Sequence, residues 1–179
     1  MKRSNLILLC VLGAIFFFMT ALQIRMNGYV KEEVGRDYGN YINDIRPLSE
    51  FKKITVNDGI KVVFKQGPKT GVSVKGRRNL MSFIKTEIVN GTLIIEKTKR
   101  MRKGDSVSVF ISNPILDSLS VGSGASFISE GMVSGNTLKL IFKGESEGKL
   151  ELGYELLECS FSMDSKVVLA GSSKKTIFN

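Results

Sequence analysis

Leu119-Ser-Val121, Leu138-Lys-Leu140-Ile-Phe142 and Leu157-Glu-Cys159-Ser-Phe161-Ser-Met163 begin nineteen residues apart, and each carries apolar side chains at alternate positions. Successive side chains of a strand point to opposite faces, so this alternation predicts strands with one face, Cys159 and Met163 included, turned inward. A fixed return of about twenty residues predicts that each strand stacks on the one before it, as in a coiled β-structure. Leu150 and Leu169 keep the same step and Gly124 and Gly144 stand twenty apart, so a second strand and a corner of each turn are expected to hold register too. The expected fold class is all-β, a solenoid of short strands with rungs of ~19–20 residues. The alternative for short alternating strands punctuated by turns is an antiparallel β-sandwich.

Outward from the repeats, Leu116-Asp-Ser-Leu119-Ser-Val121-Gly-Ser-Gly124-Ala125 matches Phe51-Lys-Lys-Ile54-Thr-Val56-Asn-Asp-Gly59-Ile60 in apolar character, position by position, down to the glycine. The same element is therefore used twice. Ile54 to Val56, Ile60 to Phe64 and Val72 to Val74 read as short strands broken at Asn57-Asp58-Gly59 and Gly67-Pro68. Phe83 to Val89 and Leu93 to Glu96 flank Asn90-Gly91, the dipeptide suited to the positive φ angles of a two-residue hairpin turn. Asn90-Gly91-Thr92 also matches a glycosylation sequon, but the hairpin accounts for it. A strand over Val107 to Ile111 stops at Asn113-Pro114, and the open edge after Val167-Val168-Leu169 is expected to be protected by Lys174 and Lys175.

Leu6 to Ile24 is an uncharged run preceded by Lys2 and Arg3, and as a helix it would span close to the ~30 Å of a hydrocarbon core. Two readings remain open, an uncleaved single-pass anchor and a cleaved signal, and both export the rest of the chain. The small-residue pattern of a cleavage site is missing before Ala21 and Gly28, and no small residue directly precedes Cys10 as it would in a lipoprotein. The expected organisation is a membrane anchor or signal over residues 1–25, a juxtamembrane stalk over 26–50, in part helical near Tyr29 to Arg36, and a head domain over 51–179.

Charge is distributed unevenly: Lys52 to Lys103 holds fourteen basic and three acidic residues, whereas Asp105 to Asn179 holds six basic and nine acidic. The first segment would be drawn toward anionic lipid or lipopolysaccharide, and Lys97, Lys99, Arg100, Arg102 and Lys103 are the candidate contacts. The competing reading is that these are solvated lysines and arginines that keep strands soluble. Export argues against nucleic acid as a partner. Two cysteines make no disulfide framework, and Cys159 reads as a buried core thiol.

The chain contains no histidine, which removes the commonest general base and metal ligand and excludes Ser-His-Asp and Cys-His arrangements. Glu145-Ser-Glu147 reads as a solvated corner, Gly122-Ser-Gly124 is too short for a phosphate loop, and no calcium-roll repeat occurs. Neither an enzyme nor a cofactor is expected.

The order of elements is similar to that of the auto-transporter adhesin, or head GIN domain, family of bacterial envelope proteins. The resembling residues are Phe51 to Val62, Asn90-Gly91-Thr92-Leu93-Ile94-Ile95, Ile111-Ser-Asn-Pro114 and Leu116 to Gly124, within a span of about Phe51 to Gly171. The resemblance implies a right-handed β-helix-like fold at the cell envelope, a role in adhesion, and no catalytic residues. This chain departs from the family's Ser-Gly corners at Lys143-Gly144-Glu145 and Met163-Asp164-Ser165. The expected function is a membrane-anchored, adhesin-like interaction module facing the periplasm or cell exterior, with an envelope protein or glycan as partner. The alternative is a structural or sensory envelope component that rests its basic segment, residues 52–103, on anionic lipid.

Overall fold

A computed structural model describes residues 40–102 and 104–179. The apolar run at 6–24, the helical stretch expected near Tyr29 to Arg36 and Lys103 lie outside the described residues.

The described fold is all-β. Strands β1 (Tyr41–Arg46), β2 (Lys53–Val56), β3 (Lys61–Gln66), β4 (Gly71–Arg77), β5 (Ile84–Val89), β6 (Thr92–Lys97), β7 (Ser108–Asn113), β8 (Ser118–Val121), β9 (Ser126–Phe142), β10 (Glu147–Phe161) and β11 (Lys166–Phe178) form one mixed sheet, with a 3-10 turn at Arg78–Phe83. The period-2 pattern is realised directly. Ile54 and Val56, Val62 and Phe64, Leu119 and Val121, Leu138, Leu140 and Phe142 all face a single continuous core. At Asn90 and Gly91, φ angles of 50° and 71° close the hairpin between β5 and β6.

Antiparallel pairing is confined, among the described residues, to β1 with β4, β4 with β7, and β5 with β6. The other pairs are parallel, which rules out an antiparallel sandwich. The duplicated element is stacked on itself: β2 lies beside β8 with Ile54 opposite Leu119 and Val56 opposite Val121. β3 lies in the same way beside the start of β9, Val62 opposite Phe127.

The nineteen-residue step holds from Leu138 to Leu157 and from Leu150 to Leu169, which are direct partners. It fails one turn earlier, where Leu119 stands opposite Leu140 instead of Leu138. The reason is local. β9 carries two extra residues at its bend: Lys149 pairs with Ile128 but Glu151 pairs with Met132, and Gly131 there has a φ of 83°. Met163, expected inward, is fully exposed, because it belongs to the corner between β10 and β11. Lys174, expected to guard the open edge of β11, is paired with Glu155 on the adjacent strand.

Residues 41–46, at the end of the stretch read as a stalk, form β1 and pair with β4. β1 and β5 are the two ends of the strand path β1-β4-β7-β3-β9-β8-β2-β6-β5, and Arg46 joins them. Its Nη1 donates to the Ile84 carbonyl at 2.6 Å and to Thr86 Oγ1 at 3.0 Å, and its Nη2 donates to the Met81 carbonyl at 2.9 Å. Nε is held by Asp44 at 3.2 Å. Asn113 makes a second internal tie. Fully buried, its amide donates to the carbonyls of Phe51 at 2.8 Å and Ile115 at 2.6 Å, and its oxygen accepts from Thr70 Oγ1 at 2.7 Å. The Asn-Pro stop thus ends β7 and fixes the start of β2 together.

Arg46→Lys keeps the charge but loses the planar fork, so it is expected to leave backbone carbonyls of the 3-10 turn and β5 unpaired at a cost of about 2 kcal/mol. Urea unfolding followed by circular dichroism measures this, and a midpoint unchanged from the parent chain would contradict it.

Candidate functional site

The inward side chains are packed together, so groups that meet a partner stand at outward positions. One outward face runs over β1, β4, β7, β3 and the leading parts of β9, β10 and β11. Register sets Ile45, Phe110, Val63, Ile128 and Val168 in one row, with Ser73 and Lys149 between them. Ile45 and Val168 are 74% and 62% exposed, and the three residues between are half-buried. The next row across the same strands carries Lys75, Lys61 and Lys166 against the single carboxylate of Glu147. Lys75 Nζ lies 4.1 Å from the centre of the Phe110 ring.

Between Ile45 and Phe110 the small residues Gly71 and Ser73 leave a hollow of about 360 Å³, with Lys65 and Glu130 at its rim. That ion pair spans 3.7 Å and is more than half exposed at both ends, so it holds the rim only weakly.

A second outward face runs over β5, β6, β2, β8 and the trailing part of β9. Register sets Thr92, Lys53, Ser118 and Lys139 in one row there and Ile94, Thr55, Ser120 and Ile141 in the next. Lys85 Nζ lies 2.7 Å from Glu87 and 3.5 Å from Glu96, and the hydrogen bond to Glu87 raises its pKa despite slight desolvation. A second cleft, of about 530 Å³, opens beside Asn113 between Lys52, Thr70, Asn90 and Ile115.

The basic residues expected to form one contact are on the loop after β6, but they do not act alike. The Lys97 backbone N–H donates to Asp58 Oδ2 at 3.1 Å, and its Nζ reaches the Gly59 carbonyl at 3.5 Å, so this residue ties the loop to a corner. Lys99 lies over the Phe83 ring at 5.5 Å. Arg100 and Arg102 are exposed, and the Arg102 backbone N–H donates to Asp105 Oδ2 at 3.3 Å. Lys103 lies outside the described residues.

The apolar row escaped the sequence reading although it has a signal. Val62-Val63-Phe64, Val109-Phe110-Ile111, Phe127-Ile128 and Val167-Val168-Leu169 each break alternation by placing an apolar residue on the outward parity. Register then lines those exceptions up. Among the described residues no group of three or more Asp, Glu, Cys or His is placed to hold a metal ion, and Glu145 and Glu147 are both exposed.

Residues 50–178 match the model of the family described as putative auto-transporter adhesin, head GIN domain, and the chain belongs to that family. No curated protein matches the sequence significantly. Among solved structures it is similar to a putative adhesin from Bacteroides fragilis, with 20% identity and a TM-score of 0.72, over 76% of this chain and 65% of that one. A putative adhesin from Parabacteroides merdae aligns at 17% identity and a TM-score of 0.60, over 77% and 68%. A putative lipid binding protein from Parabacteroides distasonis aligns at 22% identity and a TM-score of 0.57, over 75% and 63%. At these identities the likeness concerns the fold. The chain spans slightly under two thirds of the length of the Bacteroides fragilis and Parabacteroides distasonis proteins.

Two buried titratable groups belong to the core. Burial pushes the Cys159 thiol pKa up, away from the reactive thiolate. The Tyr154 hydroxyl donates to the Leu116 carbonyl at 2.7 Å; burial first, and the charge of Asp117 second, push its pKa above the ordinary tyrosine range. Its folded-state pKa is raised, so its contribution to stability is complete below the ordinary pKa of about 10 and is lost as pH rises beyond it. Tyr154→Phe is expected to cost about 1 kcal/mol at neutral pH and to flatten the fall in stability above pH ~10. Thermal unfolding of both chains between pH 7 and 11 measures this, and parallel curves would contradict it.

Proposed function

We propose that this protein is a non-catalytic interaction module of adhesin type, tethered at the bacterial envelope by its apolar N-terminal run and displaying its β-domain on the periplasmic or outer side. The observation that carries the reading is the division of the sheet: inward positions are filled by packed apolar residues, and outward ones form broad, continuous faces. An enzyme needs groups tuned for proton transfer or nucleophilic attack, and a chain without histidine whose Cys159 and Tyr154 are buried in the core offers few. Membership of an adhesin family supports the same reading.

The finer architecture belongs to this proposal. The parallel run β2-β8-β9-β10-β11, with a nineteen-residue step between its last three strands, supports a right-handed β-solenoid, a form that presents extended surfaces to a partner envelope protein or glycan. Contact with anionic lipid is favoured by the surplus of lysine on one face, and the exposed Lys99, Arg100 and Arg102 would add long-range attraction.

Display is tested by proteolysis of intact spheroplasts of bacterial cells that express the full chain with a tag after Asn179. The proposal expects the tag to be digested without lysis, and a tag digested only after lysis would overturn it.

A further inference from the structure

We infer that the outward row Ile45, Phe110, Val63, Ile128 and Val168, with the lysine row beside it, is a membrane-contact face that lies on the surface of an anionic bilayer. This deepens the lipid-contact element of the proposed function and rests on that reading.

The row crosses seven strands, so at ~4.8 Å per strand it runs for roughly 29 Å, apolar at five positions with Ser73 and Lys149 at the other two, a strip rather than a pocket for one molecule. Its five apolar members are aliphatic or phenyl groups, which offer no directional hydrogen bonds, and the Phe110 ring is attended by Lys75 at 4.1 Å. A glycan would need planar polar groups or a free aromatic face along such a strip. The strip instead suits a partner that is apolar and without fixed geometry.

The charges beside it narrow the partner further. Lys61, Lys75 and Lys166 stand in the adjacent row, and none of them is ion-paired with a described carboxylate. On the opposite face Lys85 is paired with Glu87 and Glu96, while Lys53 and Lys139 are paired with no described carboxylate. An apolar strip bordered by unneutralised lysines complements acyl chains beneath anionic headgroups, the arrangement of an interfacial membrane contact. The hollow between Ile45 and Phe110 leaves space toward the β1 end of the strip for the end of a lipid chain. The contact is therefore laid across the sheet, and the loop from Lys97 to Arg102 lies outside the row.

The chain contains no tryptophan, so one introduced at the strip reports on its surroundings alone. Phe110→Trp in the full chain, reconstituted into vesicles of phosphatidylcholine with or without phosphatidylglycerol, is read by quenching from brominated acyl chains and by acrylamide. Ile128→Trp serves as a second reporter should the first variant fail to fold, and Ile141→Trp on the opposite face is the control. The expected result is bromine quenching at position 110 in anionic vesicles, lost in neutral vesicles, in high salt and when Lys61, Lys75 and Lys166 become Gln, with little quenching at position 141. Equal acrylamide access at both positions in every vesicle would overturn the inference. So would shielding of position 110 that requires an added envelope protein and not lipid. Either outcome leaves display at the envelope, tested separately by proteolysis, untouched.

Discussion

Parallel backbone pairing between strands that share one inward parity is the constraint on which the rest of this structure depends. A strand that slipped by a single residue would turn its whole apolar set outward, so the core fixes the register of each added turn. Ile54 over Leu119, Leu138 over Leu157 and Leu150 over Leu169 are consequences of that rule. The rule also builds the outer surface. Where register is fixed on the inside, side chains on the outside are aligned in rows, whatever their chemistry. The outward faces can thus vary in sequence without disturbing the fold.

A curled sheet built in this way has open ends, and polar ties handle them. Arg46 spans from β1 to β5 and the 3-10 turn, so the first and last strands of the path are held by one guanidinium fork. Asn113 plays a comparable part inside, where carbonyls at a chain reversal would otherwise be buried without partners. At the far end β11 pairs only with β10, and its inward Val167 and Leu169 remain partly exposed.

Much of the fold was legible in the sequence because burial on one side of a strand writes itself as alternation. The hairpin at Asn90-Gly91, the duplicated element and the step from Leu138 to Leu157 could be read directly. β1 could not, since Tyr41-Ile-Asn-Asp-Ile-Arg46 has apolar residues on both parities and lies at an edge. The misplacement of Leu119 came from two residues added at the bend of β9, which no periodicity announces. Met163 kept the parity of its strand but lay past the strand's end. The proposed surface was partly legible: the basic segment contributes Lys61 and Lys75, and the run of charge at Lys97 to Lys103 marks the loop after β6, apart from that row. The row itself is signalled by apolar residues on the outward parity at Val63, Phe110, Ile128 and Val168. Only the register between distant strands brings them together.

The proposed membrane contact lies on one outward face, apart from the charged loop after β6. Lysine acetylation rates in the full chain, measured by mass spectrometry with and without anionic membranes, test this most directly. The account predicts that Lys61, Lys75 and Lys166 become protected together while Lys85 and Lys139 on the other face keep their rates. Protection confined to Lys97 and Lys99, with Lys61, Lys75 and Lys166 unchanged, would contradict it.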